Sequence, residues 1–127
     1  MNNLIKIAVD AMGGDNAPNK IIDGIVHHNK ISNNIFYRIF GNKEIIESII
    51  SNKAIKKESY EIIHTEDKVE GEDSALAAAK RGKNTSMWLA IESVKNKTSD
   101  IIISAGNTGA LFVISKLNLK MIENIDK

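Results

Sequence analysis

Two glycine-bearing stretches of this sequence combine residue types that suit anion binding. They are residues 10–18 (DAMGGDNAP) and residues 104–109 (SAGNTG). Glycine allows positive φ and close approach of the backbone to a ligand. A helix that starts beside such a loop directs unpaired N–H groups and its dipole toward an anion. Each stretch therefore predicts an anion-binding loop, and the alternative for each is a plain turn between a strand and a helix.

The elements around the two loops alternate between strand and helix patterns. Strand patterns cover residues 4–9, 35–40, 60–64 and 100–104, and helical patterns cover 18–30, 42–50, 73–80, 86–95 and 110–117. This alternation predicts a three-layer, doubly wound, mostly parallel α/β sheet of Rossmann-like type. The continuous apolar run before Ser104 is typical of a strand buried on both faces. Residues 66–73 are polar and are expected to form a mobile loop.

The position of the loops in that sheet favours a ligand site. Both stretches follow a strand directly, so in a parallel sheet both lie outside the carboxyl ends of the strands. Ligands of open α/β sheets bind in the crevice at those ends. The two loops together therefore favour a shared binding site over two unrelated turns.

Composition narrows the possible functions. The 127 residues are 43% apolar, enough for one domain with a hydrophobic core. A formal net charge of +1 argues against a nucleic-acid partner, and the lack of cysteine excludes disulfides and thiolate chemistry. No apolar run reaches the roughly 20 residues of a membrane span, and no signal-peptide pattern begins the sequence, so a cytoplasmic location is expected. The three histidines lack metal-ligand spacing, and neither a metal nor a cofactor is expected.

Residues 10–18 and 104–111 resemble the two signature stretches of the bacterial phosphate acyltransferase of phospholipid synthesis, the acyl-carrier-protein:phosphate transacylase. Residues 80–91 (KRGKNTSMWLAI) are similar to the basic Ser-Ser-Met segment of this family. The resemblance runs along the whole chain in the right order, but it covers well under half of a complete member. It implies that residues 1–127 are the N-terminal part of a single α/β acyltransferase domain whose C-terminal portion is absent.

The resemblance implies a reaction and its partners. A fatty acyl group moves from the thioester of acyl-acyl-carrier protein to inorganic phosphate, which yields acyl phosphate. Phosphate is the nucleophile, so the protein must supply a phosphate cradle, placement near the thioester and donors for the developing oxyanion. Complete members are homodimers that work beside the inner face of the membrane. They supply acyl phosphate to a membrane glycerol-3-phosphate acyltransferase.

The resemblance also assigns candidate site residues to the two loops. The phosphate-binding candidates are Gly13, Gly14, Asp15, Asn16, Ser104, Gly106, Asn107, Thr108 and Gly109. Their N–H, hydroxyl and amide groups can donate to phosphate oxygens. Asp10 and Asn107 are the candidate catalytic residues. Because carboxylates repel phosphate, Asp10 and Asp15 either fix the loop geometry through backbone N–H groups, or one of them accepts a proton from hydrogen phosphate.

The basic segment of Lys80, Arg81 and Lys83 is a candidate contact for phosphate or for the acidic carrier protein. The alternative is an exposed helix end whose cations complement the helix dipole. Ser86 follows Thr85 ahead of an apolar helix. This pair either caps that helix or forms a phosphate-binding helix start.

Two other classes of function remain open. One is a phosphate- or nucleotide-binding α/β module, although the first loop lacks the complete G-x-G-x-x-G pattern. The other is an inactive remnant or one piece of a split gene, since family members continue past the position of Lys127 with a further strand and a large second region. A parallel sheet without these neighbours is expected to expose apolar surface.

Overall fold

A parallel β-sheet forms the centre of the computed structural model, which describes residues 4–120. Within these residues the sheet comprises β1 (Ile5–Asp10), β2 (Ile35–Gly41), β3 (Tyr60–His64) and β4 (Ile101–Ser104). The helices in the same part of the chain are α1 (Asn19–Ile31), α2 (Lys43–Ile50), α3 (Ala75–Lys80), α4 (Ser86–Lys95) and α5 (Thr108–Asn118). A short 3-10 turn, Lys57–Ser59, precedes β3. The strand order is β3-β2-β1-β4, and every pair is parallel.

Helices cover both faces of this sheet, because successive residues of a strand point to opposite sides. On one face, α1 and α2 pack against a cluster that includes Ile7, Val9 and Ile39. On the other face, α4 packs against β1 and β2, and Ala90 contacts Ala8 there. Helix α5 packs on α3 and α4. The predicted three-layer α/β fold with a parallel sheet is confirmed.

The strand order places the two glycine loops side by side. The chain runs outward from β1 through β2 to β3, and then returns across the sheet to add β4 on the other side of β1. The reversal in strand order between β1 and β4 is a topological switch point, where α/β sheets leave a crevice. Asp10 pairs in register with Ser104, so both strands end at the same level.

The predicted elements agree closely with the observed ones. Strand β3 and helix α4 have the predicted bounds, and α1 continues one residue beyond the fading pattern, to Ile31. Asn42 caps α2 and Thr85 caps α4, each by accepting a hydrogen bond from a backbone N–H three residues on. In α4, Trp88 is buried and Val94 is half-buried. No helix in residues 4–120 combines the length and apolarity that crossing a membrane requires.

The prediction that β4 is buried on both faces is wrong. Ile101 is 47% exposed and Ile103 is 53% exposed. Both side chains point to the α1 side of the sheet, and β4 is the edge strand within the described residues, so α1 does not reach across them. Ile102 points the other way and packs beside α4. The apolar run of β4 is therefore covered on one face.

Candidate phosphate site

A cleft of about 700 Å³ lies at the carboxyl end of the sheet, at the switch point between β1 and β4. It is lined by Met12 and residues 14–17 from the first loop, residues 105–109 from the second, and residues 68–71 from the connection between β3 and α3. The cleft brings together the predicted phosphate-binding residues Gly14, Asp15, Asn16, Gly106, Asn107, Thr108 and Gly109. We call it the phosphate cleft.

Close backbone contact between the loops depends on glycine. A Cβ atom on Gly13 would lie 2.7 Å from Asp10 Oδ2 and 3.1 Å from the Cα of Gly106. Gly14 has φ +96°, and a Cβ there would lie 2.7 Å from the carbonyl oxygen of Ala105. Side chains at either position would push the loops apart, so the spacing of the two loops requires glycine.

Unpaired backbone donors line the phosphate cleft. Within residues 4–120, no acceptor pairs with the N–H groups of Gly14, Asp15, Thr108 or Gly109. Thr108 and Gly109 form the first turn of α5, whose dipole adds positive potential at this end. Oxyanions are the ligands that such a set of N–H groups and a helix start bind best.

Asp10 lies beneath the phosphate cleft and joins three segments of the chain. Its side chain is buried, with the residue 1% exposed. Ser86 Oγ donates to Asp10 Oδ1 at 2.6 Å, and Ser104 Oγ donates to Asp10 Oδ2 at 3.0 Å. The backbone N–H of Gly106 in turn donates to Ser104 Oγ at 3.1 Å. The carboxylate thus ties the end of β1 to the start of α4 and to the second loop.

This environment favours a positioning role for Asp10. Burial raises the pKa of the Asp10 carboxyl, although hydrogen bonds from Ser86, Ser104 and nearby backbone N–H groups oppose the shift. Asp10 does not line the phosphate cleft, whereas Asp15 does and is exposed. Of the two roles open to these carboxylates, fixing the loop geometry suits Asp10, and Asp15 is the carboxylate that a bound ligand can reach.

Asn107 is held within the protein at both ends of its amide. Its Oδ1 accepts from the backbone N–H of Ala110 at 3.0 Å and so caps α5. Its Nδ2 donates to the carbonyl oxygens of Asp73, at 2.5 Å, and of Glu70, at 3.3 Å. These bonds occupy the amide donors that were expected to face phosphate. Asn107 therefore fixes the turn at residues 70–73 against the start of α5.

The basic segment lies outside the phosphate cleft. Arg81 forms a bidentate ion pair with Asp73, with Nε–Oδ2 at 2.6 Å and Nη2–Oδ1 at 3.0 Å. The hydrogen bonds from Arg81 lower the pKa of Asp73, and the same pair raises the pKa of Arg81. Lys80 and Lys83 are exposed, and neither lines the cleft. Ser86 does not line it either, because its hydroxyl is bonded to Asp10.

Lys68 is a cation of the phosphate cleft that sequence reasoning missed. It lies in the stretch of residues 66–73, which was expected to be a mobile loop, and it lines the cleft beside Glu70. Val69 is buried in the core cluster of α4 and α5, and Asp67 forms a parallel bridge with Thr85. Val69 is the one apolar residue in the polar stretch of residues 66–73, and its presence was the sequence signal that this stretch packs against the domain.

Two of the three histidines, His28 and His64, form local contacts. His28 Nδ1 lies 2.6 Å from the Tyr37 hydroxyl, and His64 Nδ1 accepts from the backbone N–H of Lys43 at 3.0 Å. Among residues 4–120, no group of three or more His, Asp or Glu side chains is arranged to hold a metal ion.

Comparisons with known proteins place these loops in a family context. The model of a family described as "Fatty acid synthesis protein" matches residues 5–127. The phosphate acyltransferase of Pelagibacter ubique is 70% identical over 127 residues, which are 100% of this chain and 38% of that protein. Those of Neorickettsia sennetsu and Enterococcus faecalis are 44% and 38% identical, over 95% and 97% of this chain and 36% of each relative. The chain thus spans little more than a third of these relatives.

Proposed function

This chain belongs to the fatty acid synthesis protein family, and we propose that it forms the phosphate site of an enzyme that transfers a fatty acyl group from acyl-acyl-carrier protein to inorganic phosphate. One observation carries the proposal. Residues of the two glycine loops and of the start of α5, several of them with unpaired N–H groups, line one cleft at the switch point of the sheet.

The chemistry needs no covalent enzyme intermediate. An oxygen of hydrogen phosphate attacks the thioester carbonyl carbon, the C–S bond breaks, and the proton of hydrogen phosphate ends on the carrier thiol. The products are acyl phosphate and the free carrier protein. Backbone N–H groups of the two loops hold the phosphate and stabilise the negative charge that develops on the carbonyl oxygen.

Charged side chains add to the proposal in two places. Lys68 lines the phosphate cleft and supplies a positive charge beside the loops. Lys80 and Lys83 are exposed outside the cleft, where they suit the docking of an acidic carrier protein. The proposed site therefore separates phosphate binding from carrier-protein docking.

For the whole protein we propose a cytoplasmic homodimer that works beside the membrane and delivers acyl phosphate to a membrane glycerol-3-phosphate acyltransferase. The support for this wider proposal is the resemblance of residues 10–18 and 104–111 to the signature stretches of the family.

The test is phosphate-dependent release of carrier protein from a long-chain acyl thioester, with acyl phosphate trapped by hydroxylamine. The chain is assayed alone and joined to the polypeptide that follows the matched region in the Pelagibacter relative. We expect turnover in at least the joined form. Absence of turnover in both forms, each shown to be folded, would overturn the proposed activity. Protection of the chain against unfolding by a nucleotide would favour a nucleotide-binding module.

Two glycine variants test the second loop. Gly106→Val places a branched side chain against Gly13, whose Cα lies 3.2 Å from the added Cβ, and we expect it to abolish turnover. Gly109→Ala is the milder variant, since its Cβ meets only ordinary contacts at 3.6 Å and beyond, and we expect it to fold but to raise the phosphate KM. Unchanged turnover in both would remove the second loop from the site.

A further inference from the structure

The phosphate cleft has a third wall that neither glycine loop supplies. Residues 68–71, in the connection between β3 and α3, form this wall, and Lys68 is the one basic residue among those that line the cleft. No ion pair within residues 4–120 includes Lys68, so its charge is available to a ligand. Connections at a protein surface are mobile unless contacts hold them. The position of this charge therefore depends on what fixes the two ends of the third wall.

The end of the third wall before Lys68 is anchored to the start of α4. Asp67 forms a parallel bridge with Thr85, and the carbonyl oxygen of Asp67 accepts from the backbone N–H of Ser86 at 3.0 Å. The hydroxyl of Thr65 donates to the carbonyl oxygen of Asn84. These bonds involve backbone groups and a hydroxyl, so this anchor does not depend on a charged side chain.

The other end of the third wall is anchored by a charge. Asp73 Oδ2 accepts from the backbone N–H of Glu70 at 2.9 Å, and the backbone N–H of Asp73 donates to the carbonyl oxygen of Glu70 at 3.1 Å. The same carboxylate takes the bidentate pair from Arg81. The Asp73 side chain is only 12% exposed, so without Arg81 it would be a poorly hydrated charge that lacks its cation. Arg81 thus stabilises the turn that ends the wall.

Arg81 also lies beside Lys68. A cavity of about 270 Å³ adjoins the phosphate cleft and is lined by Glu66, Asp67, Lys68, Glu70 and Arg81. Its carboxylates would pair with Lys68 and draw its charge away from the cleft if Lys68 were the only cation there. Arg81 is a second cation for them. Its pKa is raised chiefly by Asp73, and the charges of Glu70 and Asp67 add to this shift.

We propose that Arg81 is a positioning residue for phosphate binding, which holds the third wall through Asp73 and keeps Lys68 available to the phosphate cleft. Arg81 itself does not line the cleft. The inference rests on the proposed phosphate site and not on the acyl-transfer step. It gives Arg81 a different task from its neighbours Lys80 and Lys83, which are proposed to dock the carrier protein.

The first test is a comparison of Michaelis constants in the chain joined to the remaining polypeptide of the Pelagibacter relative. We expect Arg81→Gln to raise the phosphate KM about fivefold, with kcat and the KM for acyl-acyl-carrier protein changed by less than about twofold. Arg38→Gln is the matched control, because it breaks an ion pair with Glu61 at 2.8 Å outside the phosphate cleft. This control should leave the phosphate KM unchanged.

A double-mutant cycle tests whether Arg81 acts through Lys68. Lys68→Met removes the charge and should raise the phosphate KM about tenfold. Adding Arg81→Gln to Lys68→Met should then change the phosphate KM by less than about twofold, because the charge that Arg81 positions is already gone. A general loss of stability would instead act in both backgrounds. An equal rise in the phosphate KM with and without Lys68 would therefore overturn the proposal.

Phosphate binding is also measured without turnover, as the rise in Tm of the joined protein with inorganic phosphate. Arg81→Gln should raise the half-maximal phosphate concentration by the same factor as the KM. If the unchanged protein binds phosphate but does not turn over, this measurement still decides the role of Arg81. A rise in the KM for acyl-acyl-carrier protein alone, or unchanged phosphate binding in Arg81→Gln, would overturn this inference only. Absence of phosphate binding by the unchanged protein would overturn the phosphate site as well.

Discussion

The loop after β1 and the loop after β4 both end a strand and begin a helix, but they are held in different ways. Side chains fix the second loop, because Ser104 is bonded to Asp10 and Asn107 to the turn at residues 70–73. Backbone conformation fixes the first loop, where Gly14 and Asn16 both have positive φ. The difference shows that one half of the phosphate cleft is built by tertiary contacts and the other by the local preferences of its residues.

The largest effect is expected where the first loop meets the second. Gly14→Ala should lower the free energy of unfolding by about 3 kcal/mol, because it adds strain at positive φ and a clash with the backbone of Ala105. Gly82 is a matched control, since its φ of +97° is nearly the same and nothing lies within 4 Å of an added Cβ. Gly82→Ala should lower the free energy of unfolding by about 1 kcal/mol. Urea denaturation measures both, and equal losses would show that contact between the loops is unimportant.

Replacing the buried carboxylate should have the next largest effect. Asp10→Ala leaves the hydroxyls of Ser86 and Ser104 without their acceptor, and we expect a loss of about 2–3 kcal/mol in urea denaturation. Asp15→Ala is the control, because Asp15 is exposed and should change stability by less than about 0.5 kcal/mol. A similar loss of unfolding free energy in the two variants would show that the buried Asp10 contributes no more to stability than the exposed Asp15.

The pH dependence of stability gives a further test of the buried Asp10 carboxyl. The pKa of Asp10 is raised by burial, so its folded form keeps a proton at pH values where the unfolded carboxyl, with a pKa of about 3.9, has lost it. The stability from this group is full below the unfolded pKa and is lost as pH rises through the folded pKa. The stability of Asp10→Asn relative to the unchanged chain should therefore rise with pH across the acid range. Urea denaturation from pH 3 upward tests this, and a constant difference would contradict it.

The smallest effect tests the side-chain bonds of the second loop. Asn107→Ala removes the cap of α5 and the hydrogen bonds to residues 70–73. It should lower the free energy of unfolding by about 2 kcal/mol. Asn42→Ala removes only the cap of α2 and should lower the free energy of unfolding by about 1 kcal/mol. Hydrogen exchange at residues 70–73 should quicken in the Asn107 variant alone. Unchanged exchange there would mean that other contacts hold the turn.

Sequence patterns predicted the fold well because strand and helix periods are local. The resemblance to the phosphate acyltransferase family is confirmed by relatives that carry this name. The pattern failed where burial depends on neighbours in space. Ile101 and Ile103 read as core residues, but they lie at an edge of the described sheet. Ile45 of α2 and Leu117 of α5 are also exposed, although each lies in an apolar helical pattern.

The candidate site was predictable only in part. The two loops were expected to meet because parallel strands end at one edge of a sheet. The bond from Ser86 to Asp10 could not be predicted, since it joins residues 76 positions apart through a crossover that no local pattern encodes. The cleft position of Lys68 and the ion pair of Arg81 with Asp73 depend in the same way on how the connection after β3 folds back.

The bond between Asp10 and Ser104 spans 94 positions, and it has a consequence for how the protein is made. During synthesis the end of β1 leaves the ribosome long before β4 exists. Contacts between residues so distant in sequence form slowly. The chain must lose the entropy of closing a long loop before the contact contributes any stabilising free energy. Until β4 has been synthesised, the Asp10 carboxylate at the start of the first glycine loop lacks its bond to Ser104 and stays in contact with water. The phosphate cleft therefore cannot assemble before β4 and the loop that follows it have been synthesised.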